Sequence, residues 1–186
     1  RISAAPSIDA VVLVLAAERV AEFDGRRADF PKLAAVVEGG STRAASVLNG
    51  LNAVPHGCEV VAVHDGARPL VSVDEIEAVV AKAGEKGAAC LVAAVTDTIK
   101  SVRGGEIAAT LDRDKLRRAL TPQAFKIEIL KRAFELAEVN DSVTDESYLV
   151  EKLGHPVAIV EGSARNIKIT RPDDLIYAEA LLGRDP

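Results

Sequence analysis

Short apolar runs alternate with amphipathic segments through the first half of the chain. Buried strands are predicted for the apolar runs at residues 11–15, 34–37, 59–64 and 88–95. Helical spacing lies between these runs, over residues 16–23, 42–53 and 72–83. The alternation predicts an α/β fold with a mostly parallel sheet and helices on both faces. Because ligands bind outside the carboxyl ends of such strands, the loops that follow them are the first candidates for a site.

The pattern changes after the fourth strand. Residues 97–111 alternate between apolar and polar positions around Gly104-Gly105, which predicts a β-hairpin that projects from the sheet. An isolated hairpin is marginal in water, so its apolar side chains need a partner, and a second subunit is one candidate.

The second half of the chain contains mainly helical patterns. Helices are predicted at residues 115–120, 127–139, 145–153 (with Thr144 as N-cap) and 173–182, and short strands at 156–160 and 167–169. No repeat or linker divides the chain, so residues 1–186 are expected to form one domain.

Composition narrows the function classes. The formal net charge of -5 argues against a general nucleic-acid binder. No apolar run reaches the roughly 20 residues of a membrane span. The two cysteines, Cys58 and Cys90, lie in apolar stretches and form no disulfide framework, which fits a reducing cytoplasm. The chain contains no Met, and we therefore expect the gene product to be longer than this sequence.

The loop after the third strand carries Asp65 and, three residues later, Arg68. A carboxylate at this place can hold Mg²⁺, and an arginine can contact phosphate. A plain turn with a solvated arginine explains the same residues. Both interpretations stay open on this segment alone.

A glycine-rich turn, Gly39-Gly40-Ser41, leads into the second predicted helix. Free backbone N–H groups and the positive end of the helix dipole suit a phosphate or the edge of a nucleobase. An ordinary connection between a strand and a helix is the alternative.

Several further segments combine a hydroxyl with a cation. Lys168, Arg113, Thr121 and Thr144 together can clamp a phosphate dianion, although each residue taken singly is more often a cap or a surface charge. The three histidines have no metal-ligand spacing, and no nucleophile elbow is present, so covalent catalysis is not indicated.

Taken in order, these segments resemble the 2-C-methyl-D-erythritol 4-phosphate cytidylyltransferase family. The matching segments are GGSTRAASVLNGL (39–51), VHDGARPLV (63–71), DTIK (97–100), TLDR (110–113), LTPQAF (120–125), TDES (144–147) and EGSARNIKITRPDDL (161–175). The resemblance implies a Rossmann-like nucleotidyltransferase fold and the transfer of a cytidylyl group from CTP to methylerythritol phosphate, with Mg²⁺ as the cofactor. It also implies a homodimer in which residues 97–111 form the dimerisation arm.

The resemblance assigns roles by position. Asp65 is implied as the Mg²⁺ ligand, and Lys168 and Arg113 are implied as the catalytic cations. The nucleotide would be held by Gly39, Gly40, Ser41, Ser46 and Asp65. The sugar phosphate would be held by Arg68, Thr98, Arg113, Thr121, Thr144 and Lys168, with Thr98 and Arg68 presented across the dimer interface.

The family pattern begins with a strand and a Gly-rich loop that have no counterpart here. Either the full gene product contains this segment, which we favour, or the protein is a natural truncation without activity. Three alternatives therefore stand beside the main hypothesis: a pentitol-phosphate cytidylyltransferase acting on ribitol 5-phosphate, an inactive nucleotide-binding homologue, and a piece of a fused enzyme.

Overall fold

A computed structural model describes residues 1–137 and 143–183 of the chain. Its strands are β1 (Val11–Leu15), β2 (Leu33–Glu38), β3 (Val60–Val63), β4 (Ala88–Ala94), β5 (Lys100–Arg103), β6 (Glu106–Thr110), β7 (Arg117–Lys126) and β8 (Ala158–Glu161). Its α-helices are α1 (Ala17–Asp24), α2 (Arg43–Asn52), α3 (Val73–Lys86), α4 (Ile127–Leu136), α5 (Glu146–Lys152) and α6 (Pro172–Leu182). The α/β class predicted from the sequence is confirmed.

The main sheet has four strands in the order β3-β7-β4-β8. Strand β4 runs parallel to β8, whereas β7 runs antiparallel to both of its neighbours, β3 and β4. Three of the four strands, β3, β4 and β8, therefore run in the same direction, which confirms the mostly parallel sheet. The exception is β7, which the sequence pattern had not revealed as a strand.

Two apolar clusters cover the two faces of this sheet. Because side chains alternate along a strand, Ala89, Leu91 and Ala93 of β4 join a cluster with α3. Ala88 faces the other way and joins a cluster with α2, α4 and α5, in which Phe125 is fully buried. Helices on both faces, as predicted, thus sandwich the sheet.

Strands β1 and β2 form a separate parallel pair. Neither pairs with the four-stranded sheet, and a cleft of about 1070 Å³ is lined by β1, β3 and α2. Helix α2 connects the two parts. Gly50 on this helix lies so close to β1 that an added Cβ would stand 2.8 Å from Val14 Cγ2.

Side-chain caps fix several helix starts next to the loops of interest. The Thr42 hydroxyl accepts from Ala45 N at the start of α2, and Ser72 and Glu75 form a capping box at the start of α3. Helix α5 is capped by Asp145, which accepts from Tyr148 N, and not by Thr144 as predicted. The residue directly before the first helical residue is the one placed to cap it, and in α5 that residue is Asp145.

The hairpin prediction is confirmed. Strands β5 and β6 pair antiparallel through Gly104 and Gly105, whose positive φ values (59° and 85°) suit a tight hairpin turn. Val102 and Ile107 on this hairpin are 65% and 68% exposed.

Two short elements were predicted wrongly. Residues 115–120 form no helix, because a 3₁₀ turn at Arg113–Lys115 leads directly into β7. Burial between β3 and β4 overrides the helical propensity of this segment. Residues 167–169 form no strand, and a hydrogen bond of 2.8 Å from Ile169 N to Ala67 O holds this segment instead. The last two residues of the helix predicted at 127–139 lie outside the described residues.

Among the helices of residues 1–137 and 143–183, none has the length and apolar character needed to cross a bilayer.

Candidate active site

A pocket of about 250 Å³ opens where β3 ends and α5 begins. Five residues that the sequence had singled out line this pocket, namely Asp65, Arg68, Thr121, Thr144 and Lys168. They come from four separate parts of the chain. The pocket therefore gives these five predictions a common location.

Asp65 is the electrostatic centre of the pocket. Its Oδ2 accepts from Lys168 Nζ at 2.9 Å and lies 3.6 Å from Arg68 Nε. Its Oδ1 accepts from Nε and Nη2 of Arg43 at 3.1 and 3.0 Å. Burial alone would raise the pKa of Asp65, but the hydrogen bond from Lys168 and the attraction of Arg43 outweigh it and hold this pKa below its ordinary value. The carboxylate is thus ionised at neutral pH.

A neutral histidine fixes the backbone around Asp65. The Thr121 hydroxyl accepts from Asp65 N at 3.0 Å and lies 3.0 Å from His64 Nδ1. The other ring nitrogen, Nε2, lies 3.0 Å from Arg68 O. Since Arg68 O only accepts, Nε2 carries the proton, and the Thr121 hydroxyl donates to Nδ1. Burial lowers the pKa of His64, which agrees with this neutral form.

Asn166 connects the loop of Lys168 to the rest of the pocket. Its side-chain amide is buried and donates to Thr121 O at 2.9 Å, and its backbone carbonyl accepts from Arg68 Nη1 at 2.9 Å. Arg68 therefore lies in the pocket of its own chain. Its Nε is buried, makes no hydrogen bond within the described residues and lies 3.6 Å from Asp65 Oδ2, so it adds positive charge next to this carboxylate.

Arg43 and Glu146 form a second charged pair behind Asp65. Arg43 Nη1 and Nη2 donate to the two oxygens of Glu146 at 2.6 and 3.0 Å. The Glu146 side chain is fully buried. Burial raises the pKa of the Glu146 carboxyl, and the hydrogen bonds from Arg43 oppose this rise.

The start of α5 is anchored to β7. Gln123 donates to Asp145 Oδ2 at 3.0 Å and accepts from Ser147 N and Oγ at 2.9 and 3.0 Å. These bonds hold Thr144 and Asp145 at the rim of the pocket, next to β7.

The predicted nucleotide-binding turn lies outside this pocket. Ser46 lines the cleft between β1 and β3 together with Arg43 and Asp65. The Ser46 hydroxyl accepts from Gly40 N at 3.0 Å, and a Cβ added at Gly40 would stand 2.5 Å from Ala45 Cβ. Close packing thus explains the glycine at position 40, and the roles of Gly39, Gly40, Ser41 and Ser46 toward a nucleotide stay predictions.

Thr98 and Arg113 lie apart from the pocket lining. Both are exposed, near the base of the hairpin, and Arg113 Nη1 donates to Thr96 O at 2.8 Å. Their predicted contacts with a sugar phosphate are not tested by this geometry.

The residues present fit a divalent cation that arrives with its substrate. Within the described residues, no group of three or more His, Cys, Asp or Glu side chains forms a metal cage. Asp65 offers one ionised carboxylate, and its Oδ2 is held mainly by Lys168, whose side chain is 40% exposed. Mg²⁺ is commonly bound by one or two carboxylates together with substrate phosphates, which agrees with a single protein carboxylate.

Sequence reasoning missed four residues of this site. Arg43, Gln123 and Asp145 line the pocket, and Glu146 lies behind it. All four stood inside segments that resemble the family, but no local pattern joins Arg43 to a glutamate 103 residues away. The pairing becomes visible only when α2 and α5 are placed side by side.

Comparison with known proteins gives one consistent result. A sequence model of the 2-C-methyl-D-erythritol 4-phosphate cytidylyltransferase family matches residues 1–184. A relative from Geobacillus kaustophilus, named 2-C-methyl-D-erythritol 4-phosphate cytidylyltransferase, is 43% identical over 175 residues, covering 92% of this chain and 76% of the relative.

Solved structures agree with the sequence match. The crystal structure of 4-diphosphocytidyl-2C-methyl-D-erythritol synthase from Anaerococcus prevotii has a TM-score of 0.89 at 30% identity, covering 98% of this chain and 82% of that chain. The crystal structure of 2-C-methyl-D-erythritol 4-phosphate cytidylyltransferase from Thermus thermophilus has a TM-score of 0.70 at 41% identity, covering 80% and 73% of the two chains.

Proposed function

Because the chain belongs to the 2-C-methyl-D-erythritol 4-phosphate cytidylyltransferase family, we propose that it transfers the cytidylyl group of CTP to 2-C-methyl-D-erythritol 4-phosphate and releases diphosphate. This reaction belongs to the non-mevalonate route to isoprenoid precursors. The observation that carries the proposal is the meeting of Asp65, Lys168 and Arg68 in one pocket beside two threonines.

The chemistry needs no protein nucleophile. An oxygen of the methylerythritol phosphate forms a bond to the α-phosphorus of CTP, and the bond from that phosphorus to the diphosphate oxygen breaks. Catalysis of such a step consists mainly of positioning and of neutralising the charge on the phosphoryl oxygens. The pocket supplies cations and hydroxyls. The thiol of Cys90, on β4, is not part of the pocket lining, and burial raises its pKa to about 11.

Lys168 and Arg68 bring positive charge to the reacting phosphates. Arg68 is held by Asn166 O, which leaves its buried Nε directed at the carboxylate side of the pocket. Lys168 stands on an exposed and flexible stem, so its ammonium can move from Asp65 to a phosphate oxygen. Arg113 is proposed to reach the same sugar phosphate from the base of the hairpin.

The two threonines would contribute differently. The Thr121 hydroxyl donates its hydrogen bond to His64 Nδ1. Toward a sugar hydroxyl it can therefore act only as an acceptor. Thr144, which makes no cap at α5, has its hydroxyl available at the pocket rim.

Asp65 is proposed to hold a divalent cation, Mg²⁺, which would neutralise charge on the phosphates of CTP. The role of this chain is to present an ionised carboxylate, which its low pKa ensures.

We also propose that the hairpin is a dimerisation arm and that the enzyme works in the cytoplasm. The exposed Val102 and Ile107 support the first proposal, since apolar side chains at this level of exposure gain free energy by burial against a second subunit. The free thiols of Cys58 and Cys90 support a reducing compartment.

The direct test is diphosphate release by the full-length protein with CTP and Mg²⁺. Release with methylerythritol phosphate and not with ribitol 5-phosphate is expected. Equal or greater release with ribitol 5-phosphate would overturn the substrate assignment, and no release with either substrate would overturn the proposed function.

A further inference from the structure

Arg43 joins the two carboxylates at the back of the pocket. Its Nε and Nη2 both donate to Asp65 Oδ1, at 3.1 and 3.0 Å. Its Nη1 and Nη2 donate to the two oxygens of Glu146, at 2.6 and 3.0 Å. The planar guanidinium thereby uses all three nitrogens in one fixed plane, an arrangement that an ammonium group cannot reproduce.

Glu146 makes this arrangement rigid. Its side chain has no exposed surface, and its hydrogen bonds to Arg43 compensate the burial of its charge. Arg43 is the first residue of α2 and Glu146 the first residue of α5, so each side chain leaves a capped helix terminus. Rotation of Arg43 away from Asp65 would leave a buried carboxylate unpaired, which is costly.

The two oxygens of Asp65 are therefore held in different ways. Oδ1 is fixed by the locked Arg43, whereas Oδ2 contacts Lys168, whose side chain is 40% exposed on a flexible stem. A ligand that attracts Lys168 can release its hydrogen bond to Oδ2, with Arg68 Nε 3.6 Å away, and leave Oδ1 undisturbed.

We propose that Arg43, locked by Glu146, is a positioning residue that fixes the Asp65 carboxylate so that Oδ2 faces an incoming divalent cation. This inference rests on the proposed function. Arg43 itself need not touch the substrate. It acts through the direction in which it holds Asp65.

The test compares Arg43→Lys and Glu146→Gln with a matched control. Arg43→Lys keeps the positive charge and loses the planar set of guanidinium donors. Glu146→Gln keeps the shape of the side chain and loses its negative charge. The control is Arg117→Lys, since Arg117 Nε lies 2.6 Å from Glu161 Oε1 and its side chain is 34% exposed, close to the 2.6 Å and 33% of Arg43 with Glu146.

The first readout is Mn²⁺ binding to the full-length protein in the presence of CTP and without the second substrate. Electron paramagnetic resonance measures this binding. Mn²⁺ prefers the same oxygen ligands as Mg²⁺, and no turnover occurs in this mixture. We expect Arg43→Lys to bind Mn²⁺ at least about tenfold more weakly than the wild type. Glu146→Gln should also bind Mn²⁺ more weakly. Arg117→Lys should bind as the wild type does.

The second readout is the Mg²⁺ concentration needed for half-maximal turnover. It should rise about tenfold in Arg43→Lys, and excess Mg²⁺ should restore most of the activity. A loss that is equal at every Mg²⁺ concentration would indicate a merely structural role and overturn the inference.

Wild-type Mn²⁺ binding and Mg²⁺ requirement in Arg43→Lys would overturn it as well. If Arg43→Lys does not fold, the Mn²⁺ binding and the Mg²⁺ requirement of Glu146→Gln decide between the same outcomes. A wild-type protein that binds no Mn²⁺ with CTP would refute the proposed function itself, which separates that failure from a failure of the inference.

Discussion

Replacing Lys168 by methionine should separate catalysis from stability. The substitution keeps the apolar stem and removes the ammonium, whose Nζ lies 2.9 Å from Asp65 Oδ2. Because the Lys168 side chain is 40% exposed, water screens this ion pair, and its contribution to the free energy of unfolding is about 0.2–1 kcal/mol. For a domain of this size, a loss of 1 kcal/mol lowers the melting temperature by roughly 2–4 °C.

The expected effect on catalysis is much larger. Removing one preorganised charge that stabilises a transition state typically costs about a hundredfold to a thousandfold in kcat. Diphosphate release and thermal unfolding should therefore be measured on the same preparation of full-length Lys168→Met.

Lys82→Met is the matched control. Lys82 Nζ lies 2.9 Å from Glu85 Oε2 and its side chain is 39% exposed, so the two lysines match in contact distance and exposure, whereas Glu85 is 55% exposed and Asp65 is 13% exposed. Both variants should lose a similar, small amount of stability, and only Lys168→Met should lose activity. Near-normal turnover in Lys168→Met, or a fall in melting temperature above about 10 °C that accounts for its inactivity, would refute the reasoning.

Three further outcomes are expected. Asp65→Asn should lose at least about a hundredfold in Mg²⁺-dependent turnover with a folded circular dichroism spectrum, since an amide binds the cation poorly; near-normal turnover would refute the metal assignment. Combined Val102→Ser and Ile107→Ser should give monomers in analytical ultracentrifugation where the wild type gives dimers, and an unchanged dimer would refute the arm. At pH 8, Cys90 should react slowly with a thiol reagent in the native protein because burial raises its pKa to about 11, while the more exposed Cys58 should react fast. Two fast-reacting thiols in the wild type, or one in Cys58→Ser, would contradict this expectation.

The elements that the sequence predicted well are those with strong local signals. The all-apolar run of β4 and the capping box of α3 each specify their structure within a few residues. The Gly104-Gly105 turn does the same for the hairpin. Such signals do not depend on distant parts of the chain, so they can be read directly.

Strand β7 shows the limit of this approach. Its first half begins at Arg117, shortly after Lys115, and has residues that favour helix, and Pro122 interrupts the pattern. Only the two flanking strands, β3 and β4, make an extended conformation the better one. The mixed character of the sheet could therefore not be predicted from the segment alone.

The site divides in the same way. Asp65 and Lys168 were predicted because each lies in a segment that resembles a known family, and the structure brings their side chains together. The pairing of Arg43 with Glu146 depends on the starts of α2 and α5 lying close together, and no spacing along the chain encodes it.

The separation of β1 and β2 from the main sheet has a consequence for hydrogen exchange. Every residue of β1 is only partly buried, whereas most of β4 is fully buried, and α2 provides the main link between the two parts. Proteins open in cooperative units whose free energies differ with local packing. We therefore expect the amides of β1 and β2 to exchange with deuterium as one group, through a partial opening that leaves β4 and β7 protected. Asp65 and Lys168 belong to the protected part, and Arg43, on α2, stands at the boundary between the two units.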